Sequence, residues 1–149
     1  MKKYAALSEQ DISYFQPIYG DRMIVSHELI EDYAHDETED LKYYPAVVLK
    51  PISVNEISKT LKYANENEIP VTPAGARTGL SGGSLPVFGG ILLSLEKLNR
   101  IIEIDEKNHQ VITEPGVITQ ILQDAVKQKG LFYPPDPASR GSCFIGGNV

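Results

Sequence analysis

Apolar residues along this chain alternate between helical and strand spacing, and that pattern alone lays out its elements. Ile12, Phe15 and Ile18 recur at helical spacing behind Ser8 and Asp11, an N-cap with an acidic first turn, and stop before Gly20. Ala46-Val47-Val48-Leu49 is an unbroken apolar run suited to a buried parallel strand, and Lys50-Pro51 ends it. Ser53-Val54-Asn55-Glu56 has the pattern of a capping box, in which the glutamate reaches back to the serine backbone. Val54, Ile57, Leu61 and Ala64 would line one face of the helix it opens. Asn65 and Asn67 close that helix, and Ile69-Pro70-Val71-Thr72 reads as the next strand, completing a β-α-β unit. Gly90 to Leu95 predicts a third strand. Ile101–Ile104 and Gln110–Thr113 then predict a hairpin around Asp105–His109, with His109 a turn residue. Ile118, Ile121, Leu122, Ala125 and Val126 give a last amphipathic helix that stops at Gly130. The expected fold is α+β: a small parallel or mixed sheet flanked by helices.

Composition narrows the function classes. The 149 residues suit one domain, and 42% hydrophobic with 23% charged residues is ordinary for a globular chain. Fourteen basic against twenty acidic residues give a net charge of −6, which argues against nucleic acid as a partner. The acidic stretch from Glu28 to Asp40 reads as a solvated loop or helix face. No apolar run approaches a membrane span, and Met1-Lys2-Lys3-Tyr4 opens no secretory segment. Cys143 is the single cysteine, so no internal disulfide forms, and a reducing cytoplasm is the expected setting. His27, His35 and His109 lie too far apart for a zinc pattern, and no metal is expected.

Three loops carry the candidate chemistry. The first, Pro73-Ala-Gly-Ala-Arg-Thr-Gly-Leu-Ser-Gly-Gly-Ser-Leu-Pro86, follows the second strand of the β-α-β unit, the end at which open α/β sheets bind ligands. Its glycines, Gly75, Gly79, Gly82 and Gly83, can bring bare N–H groups against an anion such as a phosphate or pyrophosphate. It is not a Walker A loop, for no Gly-Lys pair occurs, and its glycine spacing is not that of a Rossmann turn. A purely structural Ω-loop would satisfy the same composition. The second stretch is Glu114-Pro115-Gly116-Val117. In the third, Pro134, Pro135 and Pro137 stiffen an extended backbone. There Ser139, Ser142 and the N–H groups of Gly141 and Gly146 could bond the edges of a flat ring, although a surface linker would look alike.

Taken in order, Pro73-Ala-Gly-Ala-Arg-Thr-Gly-Leu-Ser-Gly-Gly83, Glu114-Pro-Gly-Val117, Pro135-Asp-Pro-Ala-Ser139 and Ile145-Gly-Gly-Asn148 resemble one family. It comprises flavoenzymes with an FAD-binding domain of the p-cresol methylhydroxylase and vanillyl-alcohol oxidase type. The resemblance is nearest to the glycolate oxidase FAD subunit and D-lactate dehydrogenase branch, and Tyr33-Ala-His-Asp-Glu-Thr38 also looks like that family's N-terminal region. It implies that Ala74, Gly75, Ala76, Arg77, Thr78, Gly79, Gly83 and Ser84 hold the FAD pyrophosphate. It further implies that Pro115 and Gly116 flank the cofactor, and that Pro135, Asp136, Ser139, Gly141, Ser142, Gly146 and Asn148 lie along the flavin and ribityl chain. Residues 1–45 would be an N-terminal helical and acidic segment, and 46–149 the first part of the FAD domain, in a protein expected to continue past Val149 with its catalytic residues.

Two departures from the family pattern stand out. Ala74 occupies the place of a common arginine. Arg77 stands where a small residue is frequent and where covalently flavinylated members carry histidine, so non-covalent FAD is expected. Cys143 is a candidate flavin neighbour or an inert buried residue. The implied reaction is oxidation of a small 2-hydroxy acid to the 2-oxo acid, with the electron acceptor undetermined. Self-association, partner subunits and peripheral membrane attachment of the whole protein stay open. Rival readings are the same FAD domain in alkylglycerone-phosphate synthesis or cell-wall precursor reduction, and a cofactor-free binding domain.

Overall fold

Strands β2 (Val47–Leu49) and β4 (Ile91–Ser94) are apolar almost throughout because both of their faces are covered. The computed structural model describes residues 4–149. β1 (Met23–Ile24) and β3 (Val71–Ala74) complete a four-stranded sheet in the order β1-β2-β4-β3. β4 runs parallel to both neighbours and β1 is antiparallel at the edge. The two strands of the β-α-β unit are therefore not adjacent: β4 is inserted between them. β3 starts two residues later than expected and runs through Pro73, which is tolerated because β3 is an edge strand.

Alternation of side chains across β2 and β4 divides the core. Val47, Leu49, Ile91 and Leu93 meet Phe15 and Tyr19 of α1 (Glu9–Tyr19) and Ala64 of α3 (Val54–Glu66). Val48 and Leu92 point to the other face, where Ile30, Tyr33 and Ala74 cover them. Ile30 ends α2 (His27–Ile30), and Tyr33 lies in the 3-10 turn that follows. The reading of residues 28–40 as solvated is thus corrected. Ile30, Tyr33, Ala34 and Asp36 are buried while the charges between them face outward. The N-terminal segment accordingly shares one core with the sheet.

Both predicted N-caps form, but only one as a full box. Ser8 and Asp11 bond reciprocally, and Tyr63 donates to the same carboxylate at 2.8 Å. Burial pushes the Asp11 carboxyl up, yet the bonds from Ser8 and Tyr63 outweigh it and leave it below the ordinary aspartate range. At α3, Ser53 accepts from the Glu56 N–H, while the Glu56 carboxylate accepts from Ile52 N–H and pairs bidentately with Arg22 at 2.7 and 2.9 Å. The expected apolar stripe on α3 is also displaced: Val54 and Leu61 are exposed, and Thr60 and Ala64 are buried with Ile57 packed beside them. Thr60 turns inward because its hydroxyl bonds the buried Tyr19 hydroxyl at 2.6 Å.

β5 (Ile101–Asp105) and β6 (Gln110–Thr113) form the expected hairpin, with His109 in the left-handed conformation at its turn. It packs on α4 (Thr119–Lys127) around Val117, Leu122, Val126 and Ile145, a second core. Among the described residues no helix is long and apolar enough to cross a membrane.

Candidate functional site

The glycine loop leaves the end of β3 and turns back along a cleft of about 420 Å³, within the roughly 300–1,000 Å³ usual for ligand sites. Gly75 to Ser81 all line it. Among the described residues, no acceptor within the chain takes the N–H groups of these seven consecutive residues. Gly75 to Thr78 are half-buried and Gly79 to Ser81 are exposed, and successive undonated N–H groups of this kind form a concave anion trap. Arg77 sits in this row with a left-handed φ of 57°, uncommon for a residue with a Cβ and matching a place where small residues are frequent. Its guanidinium lies over the Tyr33 ring at 4.4 Å, and no carboxylate pairs with it among the described residues.

The other two motifs form the opposite wall, sewn together by backbone bonds. Gly146 N–H donates to Pro115 O at 2.9 Å and Ile145 N–H to Val117 O at 2.8 Å. A Cβ on Gly146 would stand 2.5 Å from the Pro115 Cβ, and one on Gly116 would stand 2.5 Å from Leu95 O. Both glycines exist to let main chains touch. Phe144 reaches across to within 3.7 Å of where a Gly75 Cβ would lie, closing the floor between the first loop and the third.

Twelve of the expected site residues line this cleft: Ala74 to Gly79, Gly83, Ser84, Pro115, Ser139, Gly146 and Asn148. Five do not. Gly116 lies behind the wall, under Leu95 and Leu98, and its N–H donates to Leu98 O at 2.7 Å. Pro135 and Asp136 face α4 instead, where Gln123 donates to Pro135 O and Asp136 pairs with Arg140 at 2.6 Å. Gly141 stands off the cleft in the same turn, and the Ser142 hydroxyl donates to Ser139 O. The Gly146 N–H is likewise taken by Pro115, so it is not available to a ring edge.

Cys143 also lines the cleft, 3% exposed, with Thr119 and Asn148 within 3.3 Å of its sulfur. Burial pushes its thiol up, but those hydrogen bonds prevail and hold it below the ordinary cysteine value. The residue that sequence reasoning passed over is Asp36, 6% exposed and the one carboxylate lining the cleft among the described residues. The only signal for it was the Tyr33–Thr38 segment. All three histidines are exposed and none lines the cleft, and no group of metal-binding side chains occurs among the described residues.

At the carboxyl ends of β2 and β4, Lys50 pairs with Glu96 at 2.9 Å beneath the Tyr33 ring. Glu96 also accepts from Ser94 at 3.0 Å and from the Tyr33 hydroxyl at 3.3 Å. Burial raises the Glu96 carboxyl, but Lys50 and these donors overcome it and leave it lowered. Burial lowers Lys50, and its bonds to Tyr33 and Glu96 leave it raised.

Residues 45–149 match the sequence model of the FAD binding domain. The chain belongs to this FAD-binding family. It is 42% identical over 149 residues to the D-lactate dehydrogenase of Anaerostipes hadrus, covering 99% of this chain and 31% of that protein. It is 43% identical over 117 residues to the glycolate oxidase subunit GlcD of Bacillus subtilis (strain 168), covering 78% of this chain and 25% of that protein. The chain thus spans about a third or less of the curated relatives it matches. Among solved structures, alkyldihydroxyacetonephosphate synthase superposes with a TM-score of 0.84 at 14% identity, covering 99% of this chain and 29% of that one. p-Cresol methylhydroxylase superposes with a TM-score of 0.72 at 23% identity, covering 85% of this chain and 26% of that one. These two likenesses carry the fold, which is that of the p-cresol methylhydroxylase type.

FAD is the cofactor of this domain, and the cleft fits it. Its phosphates are dianionic as a pair, and the seven N–H groups that no acceptor takes among the described residues, beside the Arg77 guanidinium, are the donor set such a group requires. Thr78 adds a hydroxyl with no partner among the described residues.

Proposed function

We propose that this FAD-binding domain serves a dehydrogenase or oxidase that converts a small 2-hydroxy acid, such as D-lactate or glycolate, to its 2-oxo acid. One observation carries the cofactor half of this reading: the row of N–H groups from Gly75 to Ser81, along the cleft, that no acceptor takes among the described residues. The names of the relatives support the substrate half. Bound FAD supplies the hydride acceptor, and the protein supplies position and electrostatics.

In this reading Gly75 to Ser81 grip the pyrophosphate, Thr78 donates a hydroxyl, and Arg77 balances the charge that the absent arginine at position 74 would otherwise meet. Pro115 and Phe144 form the apolar side of the cleft. Ser139 and Asn148 lie on the wall where the rest of the dinucleotide would pass. With no histidine in the cleft and Arg77 at the loop position, FAD is held without a covalent bond. We assign no catalytic base or acid-anchoring residue within the 149 residues. The word "subunit" in one relative's name makes a partner chain part of the proposal.

Purified full-length holoprotein should be yellow, and anaerobic addition of D-lactate, glycolate or D-2-hydroxyglutarate should bleach the flavin band. Bleaching by none of these acids would reject the substrate class. A colourless protein whose melting temperature FAD does not raise would reject the cofactor assignment in this cleft.

A further inference from the structure

Residues 36–38 lie outside the segment matched by the family model, which begins at residue 45, yet they hold the glycine loop at three points. Glu37 N–H donates to Gly79 O at 3.1 Å, Gly82 N–H donates to Thr38 Oγ1 at 2.8 Å, and the Ser84 hydroxyl faces the Asp36 carboxylate at 3.5 Å. Asp36 in turn shapes its own segment by accepting the Thr38 N–H at 2.9 Å, a short side-chain turn that aims the threonine hydroxyl at the loop. Gly82 has a φ of +69° and is where the loop reverses, so the Thr38 bond fixes the point from which the preceding N–H groups fan out.

A loop with four glycines in nine residues loses much backbone freedom when a ligand orders it, and that loss weakens binding. Contacts that order the loop beforehand remove it. We propose that residues 36–38 are a clasp that pre-orders the glycine loop for the FAD pyrophosphate, with Thr38 its positioning residue. The proposal rests on the FAD reading above. Thr38 does not line the cleft, so it acts through Gly82 and not on the ligand. Asp36 does line it, and its variants would mix a direct effect with an indirect one.

Thr38→Val keeps the shape of the side chain and removes the acceptor, whereas Thr38→Ser keeps the hydroxyl. Each is compared with the wild type by FAD titration and by amide hydrogen exchange of the apo protein across residues 79–84. Thr38→Val should raise the FAD dissociation constant about tenfold and speed exchange at Gly82 by at least a similar factor. Thr38→Ser should stay close to wild type in both. Wild-type affinity and exchange in Thr38→Val would overturn the clasp, as would a Thr38→Ser variant as impaired as the valine. Should the wild type bind no FAD, the cofactor reading fails, and unchanged exchange at Gly82 would still overturn the clasp by itself.

Discussion

At Gly79 and Gly83 the protein leaves open space: no atom stands within 4 Å of a Cβ built at either, and neither has a left-handed φ. Any need for glycine at these two positions therefore comes from the close approach of a ligand. Gly79→Val should leave the melting temperature of the apo protein unchanged and weaken FAD at least tenfold, about 1.4 kcal/mol. Unchanged flavin content in the purified variant would remove the pyrophosphate from this loop. Gly146 is the reverse case. Gly146→Ala presses a methyl into Pro115, and overpacking of that kind costs about 1–3 kcal/mol. Chemical denaturation should show that loss with or without FAD. In the proposed reading Arg77 stands in place of a linking histidine: acid precipitation of the holoprotein should carry all colour into the supernatant, and a yellow pellet would mean a covalent link, with Cys143 tested first.

Elements respond to pH through the Lys50–Glu96 pair that ties β2 to the end of β4. The Glu96 carboxyl is lowered in the fold, so its contribution is full above the ordinary glutamate value and disappears as pH falls through the lowered one. Lys50 is raised, so its contribution is full below the ordinary lysine value and is lost as pH rises through the raised one. Lys50→Met should thus cost about 1–3 kcal/mol near neutral pH, and the gap from wild type should narrow in acid. Thermal melts of both proteins across an acid series check this, and a gap independent of pH would refute it. Elements with long, regular patterns were legible in the sequence: the α4 periodicity, the hairpin and the glycine loop after β3 stand where their residues place them. β1 was not, because two residues carry no period. Residues 28–40 misled because seven acidic side chains mask the three-residue rhythm of Ile30 and Tyr33. On α3, polar Thr60 is buried through a partner 41 positions away, and the Thr38–Gly82 bond spans 44, so neither has a local signature.

The molecule as a whole carries exposed apolar side chains on its second core unit: Ile102, Ile112, Ile121 and Phe132. Exposed apolar side chains that cluster on one unit favour association. Light scattering of the 149-residue chain should read above monomer size, and Ile102→Lys with Ile112→Lys should return it toward the monomer. A strict monomer before substitution would contradict this. The order β1-β2-β4-β3 has a further consequence, during synthesis. When residues 47–74 have left the ribosome, β2 and β3 have no ladder to share, because the strand that joins them begins only at Ile91. A nascent chain passes through a stage in which β2 has only the short β1 beside it and β3 has no partner, with a completed α3 between them, the kind of intermediate that chaperones hold. The glycine loop and residues 85–90 are all that separates that vulnerable stage from closure, so the speed at which this short stretch is translated sets how long the gap in the sheet stays open.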